Sequence, residues 1–392
     1  MTERIKLGDV ITDIAAGPFG SNLKVSCFVD DGFPIVDGAN LKEYKLTDNI
    51  TKFVTEEKAR SLQRSIAKRN DVVVTISGTV GQISYIPMDS KYEEYLCSQR
   101  QFRATFDTER VYVPYLVFYF HSYEGQHKIL SFANQTGVPA LAQPLKNFRL
   151  IEMDLPDIET QKRIAGIIES INNRIESNAA INENLQAQAQ AIYKHMIIDN
   201  ADDSWTSGVL SDIAVITMGQ SPKGESYNED GVGTVFFQGR AEFGFRFPTR
   251  RLYTTDPKRM ARANDALMSV RAPVGDMNVA YEDCCIGRGL GAIRSKDGHQ
   301  SFVLYTMLAL REQLNVFNGE GTVFGSINRD ALNSMPIDIP PQEIMEQFED
   351  IVAPMDATSR NNFDETCRLQ ALRDGLLPRL MSGELDVSDL AL

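Results

Sequence analysis

The sequence predicts an α+β fold built twice over. Two tandem α/β domains are separated and followed by long helices that pair as an antiparallel coiled coil, with an internal pseudo-twofold repeat. Three observations predict it. The two halves of the chain align along most of their length. Each half contains the same strand-and-glycine phrase, DVVVTISGTVG at 71–81 and DALMSVRAPVG at 265–275. Each half also ends on an apolar seam with 4-3 spacing, and a shift of 184 residues superposes one seam on the other.

The first domain is placed at residues 1–155. It opens with LGDV at 7–10, matched in the second half by LSDI at 210–213. Strands are expected at 72–76 and 82–86, and a helix at 114–122, from β-branched runs bounded by glycine and from a longer apolar stretch. Cys97 and Arg100 match Cys285 and Arg288, Gly137 matches Gly321, and MDLP at 153–156 matches IDIP at 337–340. A connecting helix follows at 156–203. Its seam runs Ile164, Ile168, Ile171, Ile175, Asn178, Asn182, Leu185, Ala189, Ile192, Met196, the period of 3.5 that a helix pair requires. At 1.5 Å per residue the seam is roughly 50 Å long, more than most globular domains can cover. The polar run at 199–204 links the halves. The second domain, 204–340, carries expected strands at 235–238, 266–270 and 278–281 and a helix at 301–314. The second connecting helix and tail, 341–392, repeat the seam as Phe348, Val352, Met355, Ser359, Asn362, Thr366, Leu369, Arg373, Leu376, Leu380. Both seams place an asparagine at the fifth position, Asn178 and Asn362, where a buried amide fixes register at some cost in stability. Pro354 is expected to kink this helix and Pro378 to end it.

Composition narrows the function. The 392 residues are 43% hydrophobic, enough for real cores, and no apolar run approaches the length of a membrane span. The five cysteines form no C-x-x-C pair and read as reduced thiols of a cytoplasmic protein. A net charge of −13 opposes free-standing binding to nucleic acid. A local basic run offsets it: Arg240, Arg246, Arg250, Arg251, Lys258, Arg259, Arg262 and Arg271.

Catalytic signatures are missing. The sequence has no P-loop and no [ND]-P-P-[YFW] methyltransferase motif. GRGLG at 287–291 reads as a tight turn. PDIETQK at 156–162 resembles a nuclease string in letters only, since it runs into a helix start where Asp157 and Glu159 favour the dipole. His121, His127, His195 and His299 show no ligand spacing. No catalytic or metal-ligating residue is assigned.

What remains is binding. Two similar surfaces held at a fixed separation suit duplex DNA, whose half-sites mirror protein symmetry. The loops GPFGSNLK at 17–24 and GQSPKG at 219–224 can offer backbone N–H groups to phosphates, which makes Gly17, Phe19, Ser21, Lys24, Ser221 and Lys223 candidates. Arg and Gln are the natural readers of guanine and adenine in the major groove. Candidates of that kind are Gln99, Arg100 and Gln135 in the first domain, and Gln238, Arg240, Arg271 and Arg288 in the second. Arg271 stands where the first half has Ser77. Phe243, Phe245 and Phe247 alternate as a strand with one apolar face would, or as a hairpin lying in a groove.

The phrases GPFGS at 17–21, TISGTVG at 75–81, P-x-x-x-x-Q at 156–161 and LLPRLMSGE at 376–384 are similar to the repeated wording of the DNA-specificity subunits of Type I restriction-modification systems. The resemblance covers nearly the whole chain. It implies two target-recognition domains on a subunit that is not itself an enzyme. It also implies a bipartite double-stranded DNA target and two methyltransferase subunits docked on the helix seam. On that seam lie Ile164, Ile168, Ile171, Ile175, Asn178, Leu185, Ile192, Val352, Met355, Asn362, Leu369 and Leu376. Each methyltransferase would flip and methylate an adenine, and ATP-driven restriction/translocase subunits can join. S-adenosylmethionine, ATP and Mg are expected on those partners, and no cofactor is expected on this chain. Two rival readings are the specificity part of a Type II-like fused restriction-methyltransferase system and a coiled-coil scaffold that binds proteins.

Overall fold

The protein is described by a computed structural model over residues 2–134, 138–319 and 325–387. Gly137 and Gly321, paired by sequence, lie outside the described residues. Four helices organise the chain: α1 (Val113–His121), α2 (Ile158–Tyr193), α3 (Gln300–Ala309) and α4 (Gln342–Met381). The chain divides into two compact units, Met1–Glu176 with Thr366–Leu392, and Ser177–Glu365.

The first unit holds a four-stranded antiparallel sheet in the order Ile11–Ala16, Gln101–Phe106, Val72–Thr75, Ile83–Tyr85. A five-stranded sheet runs Phe28–Val29, Phe53–Val54, Phe33–Val36, Glu94–Cys97, Ile66–Lys68, with one parallel pair between Phe33–Val36 and Glu94–Cys97. A ribbon of Thr2–Lys6 against Glu152–Pro156 joins the two ends of the domain. The run VVVT is buried on both faces, which is why it reads as continuous rather than alternating apolar residues. Residues 113–120 of α1 are all buried. They share one core with Ile164, Ala165 and Ile168 of α2 and Leu377 and Leu380 of α4.

The second unit repeats this plan strand for strand. Its four-stranded sheet runs Ala214–Met218, Leu290–Ser295, Ala266–Ser269, Met277–Val279, and its five-stranded sheet Tyr227–Asn228, Leu252–Thr254, Thr234–Phe237, Cys284–Ile286, Met260–Ala261. The ribbon is Thr206–Val209 with Pro336–Ile339. Ala189, Tyr193 and Ile197 join Phe302 and Val303 of α3 and Phe348 and Val352 of α4 in its core.

Local chemistry explains the shared phrase at 71 and 265. Asn70 and Asn264 both take left-handed backbone conformations, φ 69° and 73°, which asparagine tolerates better than most residues. The buried carboxylates that follow close the turn: Asp71 accepts the Lys68 N–H and Asp265 the Arg262 N–H. Gly81 and Gly275 stand at φ 88° and 95°, a region where a β-carbon is strained.

Every residue of the two seams is buried or half-buried. Within the second unit the polar seam positions meet one another. The Asn178 amide donates to the Asn362 carbonyl (3.4 Å) and to Glu365 (2.8 Å), Asn182 donates to the Ser359 carbonyl (3.3 Å), and Asn362 donates to Asn182 Oδ1 (2.9 Å). In the first unit Arg373 donates to Asn172 (3.2 Å) and lies over the Tyr44 ring. The seam residues therefore serve domain cores as well as helix contacts.

Two expectations fail. Pro378 does not end α4, which continues to Met381. The flanking Leu377 and Leu380 are buried in the first core, and this packing holds the last turn despite the missing N–H. The helix stops where the Ser382 N–H reaches the Pro378 carbonyl (3.0 Å) and Gly383 turns left-handed at φ 74°. Residues 243–247 form neither strand nor hairpin. Phe247 packs against Tyr281 and Phe363. Arg246 is buried, 2.6 Å from Asp356 and 3.2 Å from the Tyr305 hydroxyl. Burial opposes the Arg246 charge, but Asp356 and Tyr305 prevail and raise its pKa.

That pair generates a stability prediction. Asp356→Ala strands a buried guanidinium and is expected to cost the second unit about 3–5 kcal/mol. Lys258→Ala breaks only the exposed pair with Asp256 and is expected to cost less than about 1 kcal/mol. Trp205, the single tryptophan, packs against the second core, so urea titration of its fluorescence reads both. Equal losses would contradict the assignment.

Candidate nucleic-acid interface

In the first domain four backbone segments converge on one rim. The loop after Ile11–Ala16 lies on the turn at 98–101: the Gly17 N–H donates to the Gln101 carbonyl at 2.8 Å, and a β-carbon on Gly17 would sit 1.8 Å from the Ser98 carbonyl oxygen. Only glycine allows this approach. The same turn receives the Ile76 N–H at the Arg100 carbonyl (2.6 Å) and is tied to the parallel strand by Ser98 N–H to the Val36 carbonyl (3.0 Å). These contacts bring Ser77, Gln99 and Arg100 around a cleft of about 540 Å³. Beside it, Gly17, Phe19, Ser77, Gln99 and Arg100 line a wider cleft of about 1250 Å³.

Phe19 is 83% exposed at the tip of its loop. Ser21 and Lys24 are exposed on the same loop but line neither cleft. Gln135 lies outside the described residues. Arg64 was not singled out by sequence. It lines the wider cleft because the Ser65 hydroxyl is pinned to the Ala16 carbonyl at 2.9 Å, a long-range contact with no local sequence signal. Arg60 is ion-paired to Glu56 and Glu94, and Arg103 to Asp13. Arg64 and Arg100 carry no ion pair among the described residues, so their charge is available to an incoming anion.

Backbone hydrogen bonds fix the correspondence with the second domain. Gly219 N–H donates to Leu290 O (2.9 Å), Gly287 N–H to Phe237 O (2.8 Å), and Val270 N–H to Gly289 O (2.9 Å). Each repeats a bond of the first domain, and together they pair Gln99 with Arg288 and Arg100 with Gly289. Matching by residue identity, which pairs Arg100 with Arg288 and Cys97 with Cys285, is one residue out of frame. The parallel strand contact sets the true register: Val36 faces Cys97, and Phe237 faces Ile286. The pairing of Ser77 with Arg271 holds, since Ser77 bridges to Ala140 and Arg271 to Ser326.

Arg271, Arg288 and Gln238 are exposed on the second rim. The Ser221 hydroxyl accepts the Arg288 backbone N–H at 3.2 Å, which leaves the guanidinium free of that turn. Lys223 is exposed, with Glu225 at 4.0 Å. Arg240 is held by Asp276 at 2.5 Å. The basic run expected between 240 and 271 is largely neutralised: Arg246, Arg250, Arg251 and Lys258 are also ion-paired. Arg271 and Arg288 carry no ion pair among the described residues.

The other strings are structural. Asp157 accepts the Thr160 N–H at 3.0 Å, and this backbone bond holds its carboxyl at a pKa of about 2; it caps α2. GRGLG forms the turn into Leu290–Ser295, where a β-carbon on Gly287 would lie 2.8 Å from Gln238 Cα. His121 is half-buried against the Ile83 carbonyl, and loss of solvent lowers its pKa. Among the described residues no His, Cys, Asp or Glu cluster could hold a metal, and no helix is long and apolar enough to cross a membrane.

Residues 4–187 and 202–365 each match the family model of the Type I restriction modification DNA specificity domain. A candidate MjaX specificity subunit of a type I restriction enzyme from Methanocaldococcus jannaschii is 25% identical over 376 residues, covering 91% of this chain and 88% of the relative. The type I restriction enzyme MjaIX specificity subunit of the same organism is 20% identical over 379 residues, covering 89% and 85%. The S subunit of a Type I restriction-modification system from M. genitalium shares the fold with a TM-score of 0.61 at 13% identity, covering 97% of this chain and 96% of that one.

The close approach at Gly17 is testable by itself. Gly17→Ala is expected to force the loop off the turn and destabilise the first domain by about 1–3 kcal/mol, with faster amide exchange at residues 17–22 and 98–101. A β-carbon on Gly224 meets nothing within 4 Å, so Gly224→Ala is expected to leave exchange unchanged. Unchanged exchange in Gly17→Ala would contradict this packing.

Proposed function

As the chain belongs to the Type I restriction-modification DNA specificity family, we propose that it reads a bipartite target on double-stranded DNA and carries adenine methyltransferase subunits to it. Each domain reads one short half-site through its rim. The connecting helices pair as an antiparallel coiled coil, set the unread gap, and dock two methyltransferase subunits. Restriction/translocase subunits join that assembly. S-adenosylmethionine, ATP and Mg belong to the partners.

The observation that carries the reading is the duplication itself. One frame of sheets is built twice, and its two rims present different side chains on matched backbones: Ser77 against Arg271, and Gln99 against Arg288. Charge supports the assembly. Most arginines of the second domain are paired to acids, and the chain is net negative at −13. Phosphate binding grows with the number of unpaired cations, so a reader with few of them gains affinity from basic partners that close around the duplex.

Co-expression with the adenine methyltransferase subunit of the same system, followed by single-molecule mapping of methylated adenines, tests the proposal. The expected result is one motif with two short defined halves around a fixed undefined gap. Exchanging residues 1–155 for those of a relative is expected to change one half only. A complex that methylates a continuous motif, or no complex and no motif, would overturn it.

A further inference from the structure

We infer that Gln99 and Arg288 are corresponding base readers: Gln99 specifies an adenine in the half-site of the first domain, and Arg288 a guanine at the matching position of the other half-site. The inference rests on the proposed reading of a bipartite DNA target.

The two residues occupy one place in the repeated frame. Each is the second residue of a turn whose first residue donates its N–H to the parallel strand, Ser98 to Val36 and Gly287 to Phe237. Each is followed by a residue whose carbonyl receives the strand-glycine segment, at Arg100 and Gly289. The turns are held by backbone bonds, by the Ser98 hydroxyl, which accepts the Arg100 N–H and donates to the Gln101 side chain, and at Arg288 by the Ser221 hydroxyl. Neither side chain is needed to build the turn, and both are exposed. The geometry therefore delivers two different side chains to equivalent points on the two rims.

Their chemistry separates base reading from phosphate binding. A phosphate contact calls for positive charge or a simple donor and carries no sequence information. Exchange of a neutral amide for a guanidinium at one place in the frame changes the hydrogen-bond pattern offered to a base edge, a difference that a phosphate contact does not read. Gln offers one donor and one acceptor, the complement of adenine N7 and N6, and Arg offers two donors, the complement of guanine O6 and N7. The Gln99 carboxamide also stands by the loop: a β-carbon on Gly20 would lie 2.5 Å from Gln99 Oε1.

Reciprocal substitutions test this in the full complex with the methyltransferase. Gln99→Arg is expected to change one specified A·T pair to G·C in the first half-site and to leave the second half intact. Arg288→Gln is expected to do the reverse, each altering preference at a single base pair by about 5-fold to 100-fold. Adenine methylation mapping reads both. A variant too weak to methylate is read by equilibrium binding to duplexes substituted at each defined position, where the same shift of preference supports the inference. Variants that keep the parental motif and preference, or lose affinity equally for all sequences, overturn it while a bipartite motif still stands. A parental complex with no bipartite motif overturns the proposed function and this inference together.

Discussion

Two helices of about ten turns each have to remove a continuous stripe of seam positions from water, and the rest of the chain is arranged around that requirement. No isolated helix of this kind is stable on its own side chains, since helical stability in proteins comes chiefly from the packed apolar face. Each globular domain supplies part of the cover. Ile164 and Ile168 sit in one core with Leu377 and Leu380, while Ala189 and Tyr193 sit in the other with Phe348 and Val352. The middle of the seam is polar where the asparagines lie. Apolar residues would bury more favourably there, but amides have few ways to satisfy themselves. Asn178, Asn182 and Asn362 hydrogen-bond across the second unit, and a slip of one residue would break all of these bonds at once. The helices thus exchange some stability for a defined register.

The domains divide their residues between frame and rim. The frame consists of atoms that cannot vary without rebuilding the turn: the buried Asp71 and Asp265, the left-handed Asn70 and Asn264, and the glycines 17 and 219 pressed on a neighbouring strand turn. The rim consists of exposed side chains whose replacement leaves every backbone bond intact. A duplicated frame with independent rims is what a two-part recognition problem requires, because either half can change its target without moving the other.

Much of this was legible in the sequence. Heptad spacing, strand runs and Gly or Asn at turns are local signals, so the repeat, both seams, the expected strands and the helix at 114–122 are placed within a residue or two, while the helix expected at 301–314 stops at Ala309 and a separate turn follows at Arg311–Leu314. Features set by distant contacts were not legible. Pro378 reads as a helix end, because nothing local shows that Leu377 and Leu380 are clamped in a core. The basic run from Arg240 reads as a charged face, because three of the acids that neutralise it, Asp276, Glu282 and Asp356, lie outside the run. Matching identical residues misplaces Arg288 by one position, since the parallel strand pairing, not residue identity, sets that register. Arg64 joins the rim through long-range hydrogen bonds, from the Ser65 hydroxyl to the Ala16 carbonyl and from Arg103 to the Arg64 carbonyl.

The most direct test of a two-part reader with a fixed ruler is the dependence of binding on the gap. The assembled complex would be titrated with duplexes that keep both half-sites and lengthen or shorten the undefined gap one base pair at a time. A sharp optimum at one gap length, with affinity falling steeply on either side, is the result this account predicts. Affinity that stays level across several gap lengths would mean that the two domains bind independently, and would contradict it.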